Sequence, residues 1–411
     1  MTLLRSVLPL LLVSLVWAQD ESRELFRQIG AISSELEQIT GLRLKHAVPY
    51  DFMTREKVGE YLNKRLKEAV KPDEIRAEEI TLKKFGLVPP DFDLAKNTID
   101  LLTEQAAAFY DYHAKKLFLT AAAAPGAEQP ALVHELAHAL ADQHFDLARF
   151  IRQGRQSDDG SLARMAVMEG QASWLMSEYL ARKNGQSLRE RPALARAMSE
   201  STEDGASSFP VYEGTPLYLR RSLLFPYTAG LLFQQAVMEK FGAGGIGEVF
   251  RRAPVSTQQI LHPDKYFAAA RPAQPSLPAV KLPRGFKELV GGTFGEFDAG
   301  VLIEQYAGKQ KARDLAPHWR GGQYDLRERR GRQPRVVLLW AVQWDGEEAA
   351  RDFLAVYRAV LQKKWKRMEI AAETTAGITG RGDDGWFRLR REGSVMREYT
   401  GCRPACYKGR F

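Results

Sequence analysis

Cysteine is nearly missing from this chain. Two stand among 411 residues, Cys402 and Cys406, both near the C-terminus. In an exported protein the pair is expected to close a small loop. As a metal site, two thiols four apart have no partner ligands nearby. Long apolar runs are equally scarce. The longest mostly apolar stretch, Val7 to Trp17, is too short to span a bilayer. No nucleic-acid motif, internal repeat or low-complexity tract is present, which sets aside repeat architectures and nucleic-acid partners. The net charge is +8, with much of the excess in Arg327 to Arg332 and Arg388 to Arg397. That surplus reads first as a solvated basic face, and second as a surface suited to acidic envelope polymers or peptides.

The N-terminus carries an export signature. Arg5 makes its start positive, the apolar stretch follows, and Val16-Trp17-Ala18 supplies a cleavage site, so cleavage is expected after Ala18. No cysteine sits at that site to take a lipid anchor. A secreted or periplasmic protein is expected, without stable membrane insertion after signal removal.

Against these absences stands one dense cluster. His134-Glu135-Leu136-Ala137-His138 lies in an alanine- and leucine-rich segment with Pro130 placed for a first helical turn. Residues four apart share a helix face, so the two imidazoles can meet one metal ion, with Glu135 beside them to act on a water held there. The metal expected at this motif is Zn2+. Apolar neighbours all round suit a buried helix. The blander reading, two core histidines and a solvent-facing glutamate, does not account for the spacing with the acid in register.

Zinc needs a third protein ligand, and two are on offer. His144 lies six residues after His138, but Ala141 stands where a glycine would let the chain turn sharply away. The helix can run on, and six residues carry His144 off the shared face. Glu169 lies in Ala166-Val167-Met168-Glu169-Gly170-Gln171-Ala172, an apolar helical segment whose small residues permit close approach to another helix. Glu169 is preferred, with His144 the alternative. Asp142, four residues past His138, is placed to orient that imidazole or to end the helix. His262 precedes a proline in a polar turn and is a candidate oxyanion donor, with a backbone-bonded loop histidine as its alternative.

The run His134 to Leu140 with Asp142, then Glu169-Gly170 on a later helix, resembles the gluzincin branch of zinc peptidases, which includes thermolysin-like enzymes and zinc aminopeptidases. The resemblance covers about forty residues strongly. It implies zinc on His134, His138 and Glu169, Glu135 as general base, and a zincin-like domain. The 31 residues from His138 to Glu169 exceed the spacing of the best-known members, so the connection must differ. Tyr227-Thr228-Ala229-Gly230 is similar to the Tyr-x-x-Gly by which the aminopeptidase branch supplies a transition-state hydroxyl, which makes Tyr227 a second donor candidate. Ser256 to Tyr266 resembles a run in secreted bacterial proteins.

The expected fold is α+β and mainly helical: a zincin-like catalytic domain followed by a small C-terminal α+β domain. Boundaries are placed at a signal peptide 1–18, a helical region 19–105, the catalytic domain 106–270, a proline-rich linker 271–285 and the C-terminal domain 286–411. Within these, residues 21–40 repeat apolar positions every three or four, and Thr54 opens a capping pattern followed by Leu62, Leu66 and Val70. Residues 106–112 and 116–120 read as a hairpin, with Leu117 to Thr120 the strand bordering the cleft. Arg335 to Val342 reads as a buried strand, residues 347–365 as an amphipathic helix, and residues 386–389 and 395–399 as a hairpin around Glu392-Gly393.

The expected function is a secreted zinc metallopeptidase, an endopeptidase for want of any exopeptidase motif, acting on a peptide or protein substrate. Two alternatives remain: an envelope binding or scaffolding protein with a non-catalytic metal, and a zinc amidase acting on cell-wall peptide.

Overall fold

The computed structural model describes residues 28–54, 57–61, 64–65, 71–105, 108–120, 128–206, 209–332 and 334–401. The expected signal segment and cleavage point, Cys402 and Cys406, and the apolar positions Leu62, Leu66 and Val70 lie outside these residues.

The chain is α+β. A helical half carries a small sheet of β1 (Tyr50–Met53), β2 (Ala108–Asp111) and β3 (Lys116–Thr120). The C-terminal half is built on seven antiparallel strands: β4 (Lys287–Thr293), β5 (Trp319–Arg329), β6 (Arg335–Trp344), β7 (Met368–Thr374), β8 (Gly377–Gly382), β9 (Gly385–Glu392) and β10 (Val395–Thr400), in the order β4-β5-β6-β10-β9-β8-β7. Among the described residues no helix is long and apolar enough to cross a membrane.

The hairpin expected around His113 forms, with Tyr110 opposite Leu117. Its place in the sheet differs from expectation. β1 pairs in parallel with β3, Tyr50 against Leu117 and Met53 against Thr120, so β3 is the middle strand and β2 the edge. Leu117 to Thr120 therefore cannot be the cleft-bordering edge. A short strand from residues 50–53 took that position.

Three long helices make the helical half. Glu128–Phe145 has its alanines and leucines buried on every side, from Ala131 to Ala141. Asp158–Lys183 begins under the cap of Ser157, whose hydroxyl accepts the Gly160 N–H at 3.0 Å. Its first turn is acidic and its last basic, each charge matched to the helix dipole. Leu217–Phe241 lies across it. At the crossing, a Cβ on Gly170 would collide with the Gly230 backbone, and one on Gly230 with the Ala166 carbonyl. Only glycine lets these two backbones touch.

The N-terminal helix Ile29–Thr40 buries Ile32, Leu36 and Ile39 in the same cluster as Leu132, Val133, Leu136 and Trp174. The chain after it wraps the end of the Glu128–Phe145 helix, with Gln143 Oε1 accepting the N–H groups of Lys45 and His46 at 2.7 and 3.1 Å.

In the C-terminal half, helix Glu347–Lys364 lays Phe353 and Tyr357 on the sheet, where the Trp340 ring lies 4.8 Å from Tyr357 and the Trp344 ring 4.6 Å from Phe353. Phe85, from helix Pro72–Phe85, joins this core with its ring 5.0 Å from Phe294 and 5.1 Å from Trp340. One hydrophobic cluster thus continues from the helical half into the sheet. Residues 271–285 have little regular structure but are tied down, the Ala273 N–H to the Arg320 carbonyl at 2.7 Å and the Arg397 side chain to the Ser276 carbonyl at 2.9 Å. They mark a change of pattern without a gap in the packing.

Candidate metal centre

His134 and His138, one turn apart, point their Nε2 atoms at the same oxygen. Glu169 Oε2 stands 3.2 Å from each. The two rings meet edge to face with centroids 4.6 Å apart. One ligand atom from each of the three residues lies within 4.8 Å of the others, and all three are buried. Among the described residues no other histidine, cysteine or acid group converges in this way.

Such a cluster is costly to bury. Burial pushes the His134 imidazole down to about 4. Burial also pushes His138 down, but the charge of Glu169, its hydrogen bond, and the carboxylates of Glu135 and Asp142 outweigh this and raise it. Burial alone would raise Glu169; the two imidazoles hold it down at about 2. Two buried polar atoms, Glu169 Oε1 and His134 Nδ1, have no hydrogen-bond partner. A divalent cation fits this set. Two imidazole nitrogens and a carboxylate oxygen are the donors such ions prefer, and Glu169 Oε1 is a spare carboxylate oxygen at the same place. The donors suit zinc and are not specific to it.

Glu135 is buried beside the cluster. Its Oε2 accepts the N–H of Tyr110, on edge strand β2, at 2.6 Å. Burial pushes its carboxyl up to about 8, with Glu169 adding to the rise and His138 opposing it. Tyr110 went unnoticed in the sequence, where it reads as one residue in an apolar run, Ala106 to Tyr110. Its hydroxyl also donates to Asp142 at 2.8 Å, so one residue fixes both the putting-down of β2 and the acid beside the ligands.

The remaining candidates separate clearly. Tyr227 is buried with its ring centroid 5.9 Å from that of His134. It lies one turn before Gly230, so the Tyr-x-x-Gly pattern has a local reason: the glycine allows the helix contact that brings the tyrosine in. His144 turns away, as six residues of helix require. Its Nε2 donates to the Arg43 carbonyl at 2.8 Å. The helix does run through Ala141 to Phe145.

Asp142 makes no hydrogen bond to the His138 ring and acts instead near the end of its helix. Its oxygens accept from Lys115 at 2.7 and 2.8 Å, from the Tyr110 hydroxyl and from the Leu147 N–H at 2.9 Å. It bolts the hairpin to the helix and starts the next one, and touches His138 only through its charge. His262 also goes elsewhere. Its Nε2 lies 2.6 Å from Glu296 Oε1, and it is not among the converging ligands.

A family model for a domain of unknown function (DUF8575) matches residues 284–401, the part of the chain that holds the seven strands. No curated protein and no solved structure matches the chain.

Proposed function

We propose that this chain is an exported zinc-dependent metallopeptidase. The observation that carries the reading is the meeting of both His134 and His138 on Glu169, with Glu135 buried at their side. When held by those three residues, zinc supplies Lewis acidity, polarising a peptide carbonyl and bringing the pKa of a water to about 7.

The chain's own residues supply the rest. Glu135 takes a proton from the attacking water and hands it to the leaving amine. Its high proton affinity in the bare site suits both halves of that task, and a cation among the imidazoles would draw it down toward use as a base. The Tyr110 N–H holds the carboxylate in one orientation. Tyr227, next to His134, is the hydroxyl assigned to the developing oxyanion. β2 has a strand partner on one side only, so its other side is the edge along which an extended peptide would lie, the Tyr110 N–H staying with Glu135. The buried Glu135 favours this reading over a scaffold with an inert metal, which needs no base there.

The test is cleavage of an unfolded protein by the zinc-loaded mature chain. Wild type should cut, a chelator should stop it, and Glu135→Gln should lose roughly a thousandfold in kcat while still binding zinc. A zinc-loaded wild type that cuts no peptide bond would sink the peptidase reading, and a Glu135→Gln variant as active as wild type would remove Glu135 from it.

A further inference from the structure

The helices that carry Glu169 and Tyr227 are both fastened at their N-terminal ends to the seven-stranded half. At the start of Asp158–Lys183, the Tyr324 hydroxyl on β5 donates to Asp158 Oδ2 at 2.6 Å. The Thr293 hydroxyl on β4 accepts the Asp159 N–H at 3.0 Å and lies 3.1 Å from the Ser157 hydroxyl. Asp159 Oδ1 accepts from the Thr257 hydroxyl at 2.5 Å and the Thr257 N–H at 3.1 Å, and the Thr257 oxygen in turn accepts the Phe297 N–H at 3.2 Å. Gly292 and Gly295 leave room for these two aspartates; a Cβ on either would overlap them. At the start of Leu217–Phe241, the Tyr218 hydroxyl donates to Asp298 Oδ1 at 2.8 Å, whose other oxygen takes the Gly295 N–H at 2.8 Å. Arg221 pairs with Glu304 at 2.7 Å.

Asp158, Asp159, Asp298, Tyr218 and Tyr324 are all buried. None touches the metal ligands. Asp159 stands ten residues before Glu169 and Tyr218 nine before Tyr227, each about 15 Å along its helix. Buried carboxylates need their partners, and losing one partner leaves a group that must move or neutralise. Each helix is also pinned at the Gly170–Gly230 crossing. A rigid rod fixed at two points has its azimuth set, and azimuth decides whether Glu169 faces the histidines.

We infer that the seven-stranded half, the region matched by the family of unknown function, is a positioning device for the metal centre, acting through Thr293, Tyr324 and Asp298 on the Glu169 and Tyr227 helices. It rests on the metal reading of His134, His138 and Glu169 but not on peptidase activity.

The test uses the full mature chain and Tyr324→Phe, which removes one hydroxyl and keeps the ring. Leu389→Ala, in the fully buried core of β9, serves as a control weakened without touching the anchors. Co2+ replaces zinc as a visible probe. Tyr324→Phe should bind Co2+ about tenfold more weakly, with an altered absorption band, and should exchange the amide protons of residues 166–172 faster in the metal-free protein. Leu389→Ala should keep the wild-type affinity and band. If Tyr324→Phe does not fold, Thr293→Ser, which retains the hydroxyl, against Thr293→Val, which lacks it, gives the same contrast. Wild-type affinity, band and exchange in the anchor variants would overturn the inference. Equal weakening by Leu389→Ala would reduce it to general instability and overturn it as well. If wild type binds no Co2+, the metal reading fails, and the exchange at residues 166–172 still decides whether the anchors set the helix.

Discussion

The two halves of this molecule bury different things. The helical half places His134, Glu135, His138, Glu169, Asp142 and Glu178 inside, among helices packed closely enough for backbones to touch at Gly170 and Gly230. The seven-stranded half fills its interior chiefly with rings, from Trp319, Trp340 and Trp344 to Phe353, Tyr357 and Phe387, and its buried acids Asp298 and Glu398 are each held by a hydroxyl and do not converge on one another. A ring stack gains free energy from the apolar area it hides. A nest of ionisable groups loses free energy on burial unless something binds it. The rings of the sheet half need nothing further to offset their burial, while the converging groups of the helical half are the ones the proposed metal would satisfy.

This contrast can be broken at three points. The largest effect is expected at Gly170. In an ordinary helix, glycine to alanine is worth up to about 1 kcal/mol of added stability. At this crossing the new Cβ meets backbone that cannot yield, so Gly170→Ala should cost about 4 kcal/mol or more and abolish metal binding. Urea unfolding of the metal-free chain, with a metal titration alongside, reads both, and a gain in stability would show that the helices are not in backbone contact.

The next effect belongs to the sheet. Phe387→Ala should cost about 3 kcal/mol by leaving a cavity under Trp365. The folded fraction should keep wild-type metal affinity, since no ligand or anchor is touched. A parallel loss of affinity in a zinc titration would mean that the two halves are not distinct in what they bury.

The smallest effect concerns pH. Asp384 sits between Lys84, at 2.5 Å, and the Trp365 indole N–H, at 3.0 Å. Burial pushes its carboxyl up, but Lys84, Lys364 and these hydrogen bonds outweigh that and lower it. A carboxyl lowered by folding adds stability above its unfolded value of about 3.9 and loses it as pH falls through the folded value. Asp384→Asn should thus be less stable than wild type near neutrality by about 1 kcal/mol, the gap closing below about pH 4. Denaturation midpoints across pH 3 to 7 (roughly the carboxylate range) check this, and a gap that widens in acid would reverse the sign.

What the sequence disclosed followed from local rules. The spacing of His134 and His138, the helix running on through Ala141, and the small residues around Glu169 all act within a few residues, and the structure places each as those rules require. His144 left the site for the same reason. What stayed hidden depends on distant partners. Nothing in Tyr50–Met53 announces a parallel strand, because parallel pairing leaves no tight turn in the sequence. That pairing alone moved the sheet edge from β3 to β1 and left β2 as the other edge. Asp142 shares a helix face with His138, yet Lys115 and Tyr110, on the hairpin, claimed it. His262 found Glu296 instead of the cleft. The placing of Asp158 and Asp159 after Ser157 suggests only the acidic first turn of a helix; their partners Tyr324 and Thr257 could not be guessed from it.

The anchoring of the Glu169 helix also orders events in time. A chain made from its N-terminus presents His134, His138 and Glu169 long before Thr293, Asp298 and Tyr324 exist. On the inference drawn above, until β4 and β5 are made the proposed ligands would be present and their alignment would not.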